Sequence, residues 1–397
     1  MRSYLPLFLA LILTPACAQT PAPVPLPDIK NAEALGADLY KNSGSTGLVL
    51  VVVRNNQVFF HGYGETAPNS NQTPTADSVV RICSLTKIFT TDLLTKLTID
   101  NTVHLNDPLQ LYAPEHLMVP THDKPITLLD LATHTAGLPR ELGNAPRGTA
   151  HFTFPDYPTR WHWLANQQLR STPGTVAEYS NIGYDLLSDA LQTAAHKPYA
   201  TLLSERTIKP LRMYQTTFYP DASQCARLLV GNRDEGPCTV TENTEGSSGL
   251  YSTPNDMAIW LKYLLGARVP SVSAQIAAAL ESYLLPTQLI REKGLDHAGH
   301  PSGIGLGWMH LLAPNDPSHL IEKTGGGAGF QTYIAIHPAS HTAIFIAATD
   351  GPRNRQVEHI NLFKSANDLL LNLAGLPPLP QDAPKAHTKA ARKHHRR

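Results

Sequence analysis

Three short groups of residues could do chemistry together. Ser84-Leu85-Thr86-Lys87 places a hydroxyl and an amine three positions apart, which on a helix puts them on one face, a turn apart. A serine hydroxyl is a weak nucleophile and needs a base, and a neutral lysine amine can be that base. Lysine, ordinarily near roughly 10.4, must be brought down by about 3 pH units, at a cost of about 4 kcal/mol, to be neutral near pH 7. Burial and a second cation nearby supply such a change. Alone, a Ser-x-x-Lys arises by accident about once in a chain this long.

Tyr179-Ser180-Asn181, after Pro173-Gly174, offers a phenol to relay protons and an amide to hold a substrate carbonyl. Lys323-Thr324-Gly325 offers a cation and a hydroxyl for a substrate carboxylate, and the same cation would repel a proton from Lys87. Gly325, with Gly326, Gly327 and Gly329 after it, permits close backbone approach. The amides of Ser84 and Gly326 are candidates for an oxyanion hole. The glycine run lacks the order of a phosphate loop, and the histidines show no metal-ligand spacing, so neither metal nor cofactor is expected.

These groups need a scaffold. Gly47–Arg54 and Gln57–His61 read as a hairpin across Asn55-Asn56, and His319–Thr324, Gln331–His337 and Thr342–Thr349 read as strands. Ser84–Leu97, Leu128–Thr135, Tyr184–Ala195 and Val357–Leu373 read as helices, the last capped by Gly375. Strands at both ends with helices between them imply an α+β fold. One antiparallel sheet (about 47–62 and 319–349) is flanked by helices, with a mostly helical lobe (about 100–300) inserted, in one catalytic domain over 31–376.

The 397 residues hold 32 basic and 32 acidic side chains, with 42% hydrophobic and 16% charged residues. A zero balance gives no case for nucleic-acid binding. The zero is a cancellation: Lys385, Lys389, Arg392, Lys393, Arg396 and Arg397 face only Asp382 in the last stretch, so the body is mildly acidic. Residues 377–397 read as a disordered basic tail, able to contact an anionic envelope surface.

Met1-Arg2-Ser3, the apolar Tyr4–Leu13 and Ala16-Cys17-Ala18 form a cleaved signal peptide over 1–18, followed by a proline-rich linker over 19–30. Thr14 and Pro15 make a poor lipobox, so lipid attachment at Cys17 is the lesser reading. Export to the periplasm permits disulfides. Cys225 and Cys238 are close in sequence, with Asn232 and Gly236-Pro237 between them to turn the chain, and are expected to pair. Such a bond stabilises by about 3 kcal/mol in the chain-entropy picture. Cys83 is left over as a buried small residue.

In order, the three motifs resemble those of the class C β-lactamase and low-mass penicillin-binding branch of the serine hydrolases. Leu131–Pro139 (LATHTAGLP), Gly249–Met257 (GLYSTPNDM) and Gly305–Trp308 (GLGW) are similar to that family's further motifs. Within it, the resemblance is strongest to the AmpH-type D-alanyl-D-alanine carboxypeptidase/endopeptidases. The resemblance implies a β-lactamase/transpeptidase-like fold and a monomeric, penicillin-binding enzyme acting on peptidoglycan muropeptides. Its catalytic residues would be Ser84, Lys87 and Tyr179, with Asn181, Lys323, Thr324 and Gly325 binding substrate. Hydrolysis of β-lactams, or of esters, by the same residues is the alternative. Arg353, Asn354 and Arg355, just after the last strand, have the position and charge to meet a terminal carboxylate. His134 reads as a structural histidine at a helix end.

Overall fold

The computed structural model describes residues 26–232, 236–266, 270–295, 298–352 and 361–379. The signal segment, Cys17, Arg353, Asn354, Arg355 and residues 380–397 of the tail lie outside these.

In chain order the strands are β1 (Gly47–Arg54), β2 (Gln57–Gly64), β3 (Val80–Arg81), β4 (Val176–Glu178), β5 (Tyr251–Ser252), β6 (Ser282–Leu284), β7 (Arg291–Lys293), β8 (Pro301–Gly305), β9 (Met309–Leu311), β10 (Leu320–Gly327), β11 (Phe330–His337) and β12 (Thr342–Thr349). Helices used below are α1 (Ala32–Ser43), α2 (Thr86–Ile99), α3 (Leu128–Ala132), α4 (Tyr157–Ala165) and α5 (Asn181–Ala195).

Asn55 and Asn56 both take positive φ (49° and 67°), the backbone a tight hairpin needs, and β1 and β2 pair across them. The other edge of β1 pairs antiparallel with β12, Leu48 opposite Ala348. The main sheet runs β2-β1-β12-β11-β10-β9-β8-β6. Every residue of β1 and β12 is buried because the sheet is covered on both faces. Val49, Val51, Val53, Phe345 and Ile334 face the inserted lobe. Leu48, Leu50, Val52, Ile344 and Ile346 face α1 and the C-terminal helix Leu362–Leu373.

The sheet is wider than the sequence suggests. β6, β8 and β9 extend it beyond β10, but Pro301, Gly303 and two register shifts break the alternation that would have revealed them. α3 stops at Ala132, short of the expected Thr135. The Thr133 hydroxyl bonds back to the Leu129 carbonyl (2.7 Å), and His134 takes φ 61°. The closing helix begins at Leu362, where Asn361 caps the amides of Phe363 and Lys364. Cys225 and Cys238 are joined, and Cys83 is buried outside the disulfide. No helix among the described residues is long and apolar enough to cross a membrane.

Candidate active site

Ser84 sits where β3 turns into α2. Cys83 takes φ 52°, and Cys83–Leu85 forms one tight turn before the helix proper. Four hydrogen bonds clamp the turn. Ile82 N–H donates to the Leu250 carbonyl (3.1 Å), and the Thr332 hydroxyl donates to the Ile82 carbonyl (2.9 Å). The Thr86 hydroxyl donates to the Cys83 carbonyl (2.8 Å) and accepts from Leu250 N–H (3.2 Å). From the other side, the Arg81 guanidinium donates to the carbonyls of Gly236, Pro237 and Ala328, tying β3 to the disulfide loop and to the β10–β11 turn.

Lys87 lies in the first turn of α2 and is fully buried, its Nζ 3.3 Å from Ser84 Oγ. The same nitrogen is 2.7 Å from Asn181 Oδ1 and 2.8 Å from the Ser247 carbonyl. Both of those oxygens are acceptors only. A neutral amine has two hydrogens to give them, and its lone pair is then left for the Ser84 hydroxyl. Burial holds the amine below its ordinary value of 10.5. Lys323 repels the proton further, while Tyr179 and Asp185 act in the opposite direction.

The Tyr179 ring is held by contacts on every side. His134 stacks on it with centroids 4.5 Å apart. Lys87 Nζ, Lys323 Nζ and Arg140 Cζ lie 4.9, 5.1 and 4.5 Å from its centroid. The Tyr179 phenol favours the charged form of the Lys87 amine. His134 Nδ1 accepts from Ser180 N–H (3.1 Å), which places the ring proton on Nε2. Burial first, then Lys87, Lys323 and Arg140, hold this imidazole well below its usual value. It is a neutral prop under Tyr179 and has no contact with Ser84 among those described.

β10 forms the opposite wall. Lys323 is fully buried and Thr324 nearly so. Gly325, Gly326 and Gly327 belong to the strand and pair with Thr332, Gln331 and Phe330, so the turn falls at Ala328-Gly329 rather than at the glycine run. Gly325 is required by packing. A Cβ there would lie 2.2 Å from Thr332 Oγ1, 3.0 Å from the Ile82 carbonyl and 3.2 Å from Ser84 N. Ser84, Arg140, Tyr179, Thr324, Gly325 and Gly326 line a single cleft of about 210 Å³.

The structure therefore brings together every expected site residue that it describes, from Ser84 to Gly326. Residues not anticipated also enter. Arg140 and Glu141 follow the LATHTAGLP run directly, and Glu141 accepts from the Asn181 amide. Gly294 and Leu295 line the cleft because β7 pairs with β4 and the Lys293 carbonyl accepts from Tyr179 N–H (3.1 Å). Ser247 stands just before the GLYSTPNDM run. Position next to a motif is the only signal for Arg140, Glu141 and Ser247, and nothing in the sequence marks Gly294 or Leu295. No group of three or more His, Cys, Asp or Glu residues among the described residues is placed to hold a metal ion.

The beta-lactamase family profile matches residues 32–366. The chain is 42% identical over 345 residues to the D-alanyl-D-alanine-carboxypeptidase/endopeptidase AmpH of Escherichia coli, spanning 86% of this chain and 88% of that one. A crystal structure of a beta-lactamase/D-alanine carboxypeptidase from Yersinia pestis, complexed with citrate, superposes with TM-score 0.81 at 38% identity, covering 88% of this chain and 100% of the other. A class C beta-lactamase from Rhodobacter sphaeroides shares the fold at TM-score 0.66 and 21% identity, covering 86% and 99%. With Ser84 and Lys87 adjacent at the end of the sheet and most of both chains aligned, this protein belongs to the β-lactamase family.

Proposed function

We propose that the chain is a serine D-alanyl-D-alanine carboxypeptidase/endopeptidase that acts on peptidoglycan peptides through an acyl-enzyme on Ser84, and that penicillins acylate the same serine. One observation carries the reading: the buried Lys87 nitrogen lies 3.3 Å from Ser84 Oγ, held by Asn181 Oδ1 at 2.7 Å and the Ser247 carbonyl at 2.8 Å. The 42% identity to a relative of that activity names the substrate class.

The reaction divides into two transfers. Lys87 and Tyr179, acting as a coupled pair, take the hydroxyl proton while Ser84 Oγ bonds to the carbonyl carbon of the penultimate D-alanine. The amides of Ser84 and Gly326 receive the negative oxygen. The peptide bond then breaks, the proton passes to the leaving amine, and water hydrolyses the ester by the reverse path. Lys323 and Thr324 meet the substrate's terminal carboxylate, Asn181 orients its carbonyl, and Gly325 lets the peptide lie against β10.

The test measures D-alanine release from a pentapeptide muropeptide beside turnover of a labelled penicillin. We expect steady release of D-alanine and a long-lived penicillin adduct. Fast penicillin turnover without D-alanine release would instead make the chain a class C-type β-lactamase. Lys323→Ala is expected to raise KM by on the order of tenfold to a hundredfold for carboxylate-bearing peptides, the loss of one charge-assisted contact. It should affect a substrate with an amidated terminus far less.

The enzyme is read as a periplasmic monomer whose tail, residues 381–397, holds it electrostatically to anionic envelope polymers. Removing those residues is expected to abolish the salt-sensitive fraction that sediments with insoluble cell wall. Unchanged sedimentation at low salt would refute the tether.

A further inference from the structure

Behind Lys87, on the side away from the cleft, lies a buried group of charges that the proposed reaction does not use. Asn181, Asp185 and Asp189 are spaced four apart on α5 and so share one face, with Asn181 bonded to Lys87. Asp185 and Asp189 are 2% and 1% exposed. Asp189 has its counter-charge: Arg160 of α4 donates to it from Nε (2.7 Å) and NH2 (2.5 Å), and Trp161 Nε1 adds a third bond (2.7 Å). The remaining Arg160 nitrogen is taken by the Pro155 and Asn243 carbonyls.

Asp185 has no such partner. Its Oδ1 is buried without a hydrogen bond, and the Ser247 side chain favours its charged form. The carbonyl of that same Ser247 accepts from Lys87 Nζ. The groups facing Asp185 are Lys87 on α2, Arg160 on α4, Asp189 on its own helix, Glu245 before Ser247, and Tyr199 on the next helix. Arg160 is committed to Asp189, Glu245 is a further acid, and Tyr199 is a neutral phenol. Arg160 also favours ionised Asp185 but is hydrogen-bonded to Asp189, so Lys87 is the cation acting on Asp185 that no carboxylate holds.

We propose that Asp185, one turn along α5 from the Asn181 that holds Lys87, is a positioning residue which sets the charge state of Lys87 and thereby the lower pH limit of Ser84 acylation. An ionised Asp185 favours the lysine cation, which is inactive as a base, and a neutral Asp185 favours the free amine. The two groups titrate as one coupled unit. Burial raises Asp185 to about 7, so the exchange falls in the range where the enzyme works. Lys323, Tyr179 and His134 face Lys87 from the cleft side and stay in place when residue 185 changes.

The proposal rests on Ser84 and Lys87 acting as nucleophile and base, so the experiment reads acylation directly: the rate of labelled-penicillin attachment to the full-length mature enzyme from pH 5 to 9. In the wild type we expect a rising limb shallower than one proton, because ionisation of Asp185 makes Lys87 progressively harder to deprotonate. Asp185→Asn removes the anion and keeps the shape. Its limb is expected to move to lower pH by roughly half a unit to one unit and to become a single-proton curve, with the plateau rate within about threefold. Ser247→Ala keeps the carboxyl but removes the hydroxyl that favours its charged form. It should displace the limb the same way by a smaller amount, which guards against an Asp185→Asn chain that does not fold. A plateau that falls while the limb stays put marks a merely structural role and overturns the proposal, as does an unmoved limb in both variants. A wild type that is never acylated overturns it together with the reaction scheme. Normal acylation without D-alanine release overturns the peptidase reading alone.

Discussion

Ser84→Ala is expected to leave a folded protein that carries no penicillin label and releases D-alanine at least about 10⁴-fold more slowly than the wild type. Removing a covalent nucleophile from a working set costs on the order of 10⁴ to 10⁶ in rate, because base, oxyanion donors and binding groups are left with no atom to act through. The fold should tolerate the change. Ser84 contributes one long contact to Lys87 (3.3 Å), while Asn181 Oδ1 and the Ser247 carbonyl hold the amine at shorter range. The turn itself is clamped through backbone and Thr86, not through the Ser84 hydroxyl. Mass spectrometry after exposure to penicillin, beside a melting curve, checks both halves. An adduct of normal yield on the variant would move the nucleophile elsewhere.

Lys87→Met is expected to cost about 10²- to 10⁴-fold in acylation, the usual worth of a positioned base, with Ser84 still present. Its effect on stability depends on pH in a direction that can be worked out. In the fold, Lys87 is held below its ordinary 10.5, chiefly by burial. Between the folded value and 10.5 the unfolded chain therefore binds the extra proton, so the wild type gains stability as pH rises, by about 1.4 kcal/mol per pH unit from this residue. Methionine has no proton to lose and lacks that term. As pH falls through the window, the variant should lose less stability than the wild type, and below the folded value the difference should level off. Against this stands a constant cost: Asn181 Oδ1 and the Ser247 carbonyl lose their donor, at about 1–3 kcal/mol for each group left buried and unsatisfied. Denaturant melts at several pH values separate the two. A difference that does not vary with pH would mean that Lys87 is not held down by the fold.

The chemistry was legible where a residue acts through its own type and spacing. Ser84 and Lys87 are one helical turn apart, and Lys323-Thr324-Gly325 lies on a strand, so local geometry carried most of the information. What sequence could not disclose depends on contacts between distant segments. His134 props Tyr179 only because α3 ends early. Arg140 reaches the same ring from the loop beyond. Asp185 looks like any polar residue of an amphipathic helix until Arg160 is seen to be committed to Asp189. The outer strands β6, β8 and β9 were hidden for a different reason: short, bulged and broken by proline and glycine, they carry no readable period. The expected strand stops at Thr324, where the permissive glycines begin. Gly325, Gly326 and Gly327 nevertheless stay in the strand, and at Gly325 the Ser84 turn and Thr332 leave no room for a side chain.

The seam between β1 and β12 also governs timing. Leu48 must find Ala348, across nearly the whole chain, before the central sheet exists. Closing so long a loop is entropically unfavourable, and folds dominated by such pairings form slowly. Ser84 is made early, yet the amide of Gly326 that completes its surroundings belongs to the strands synthesised last. A chain caught partway through synthesis carries the nucleophile without the pocket. Hydrolysis therefore begins only once the C-terminal strands have been made and paired.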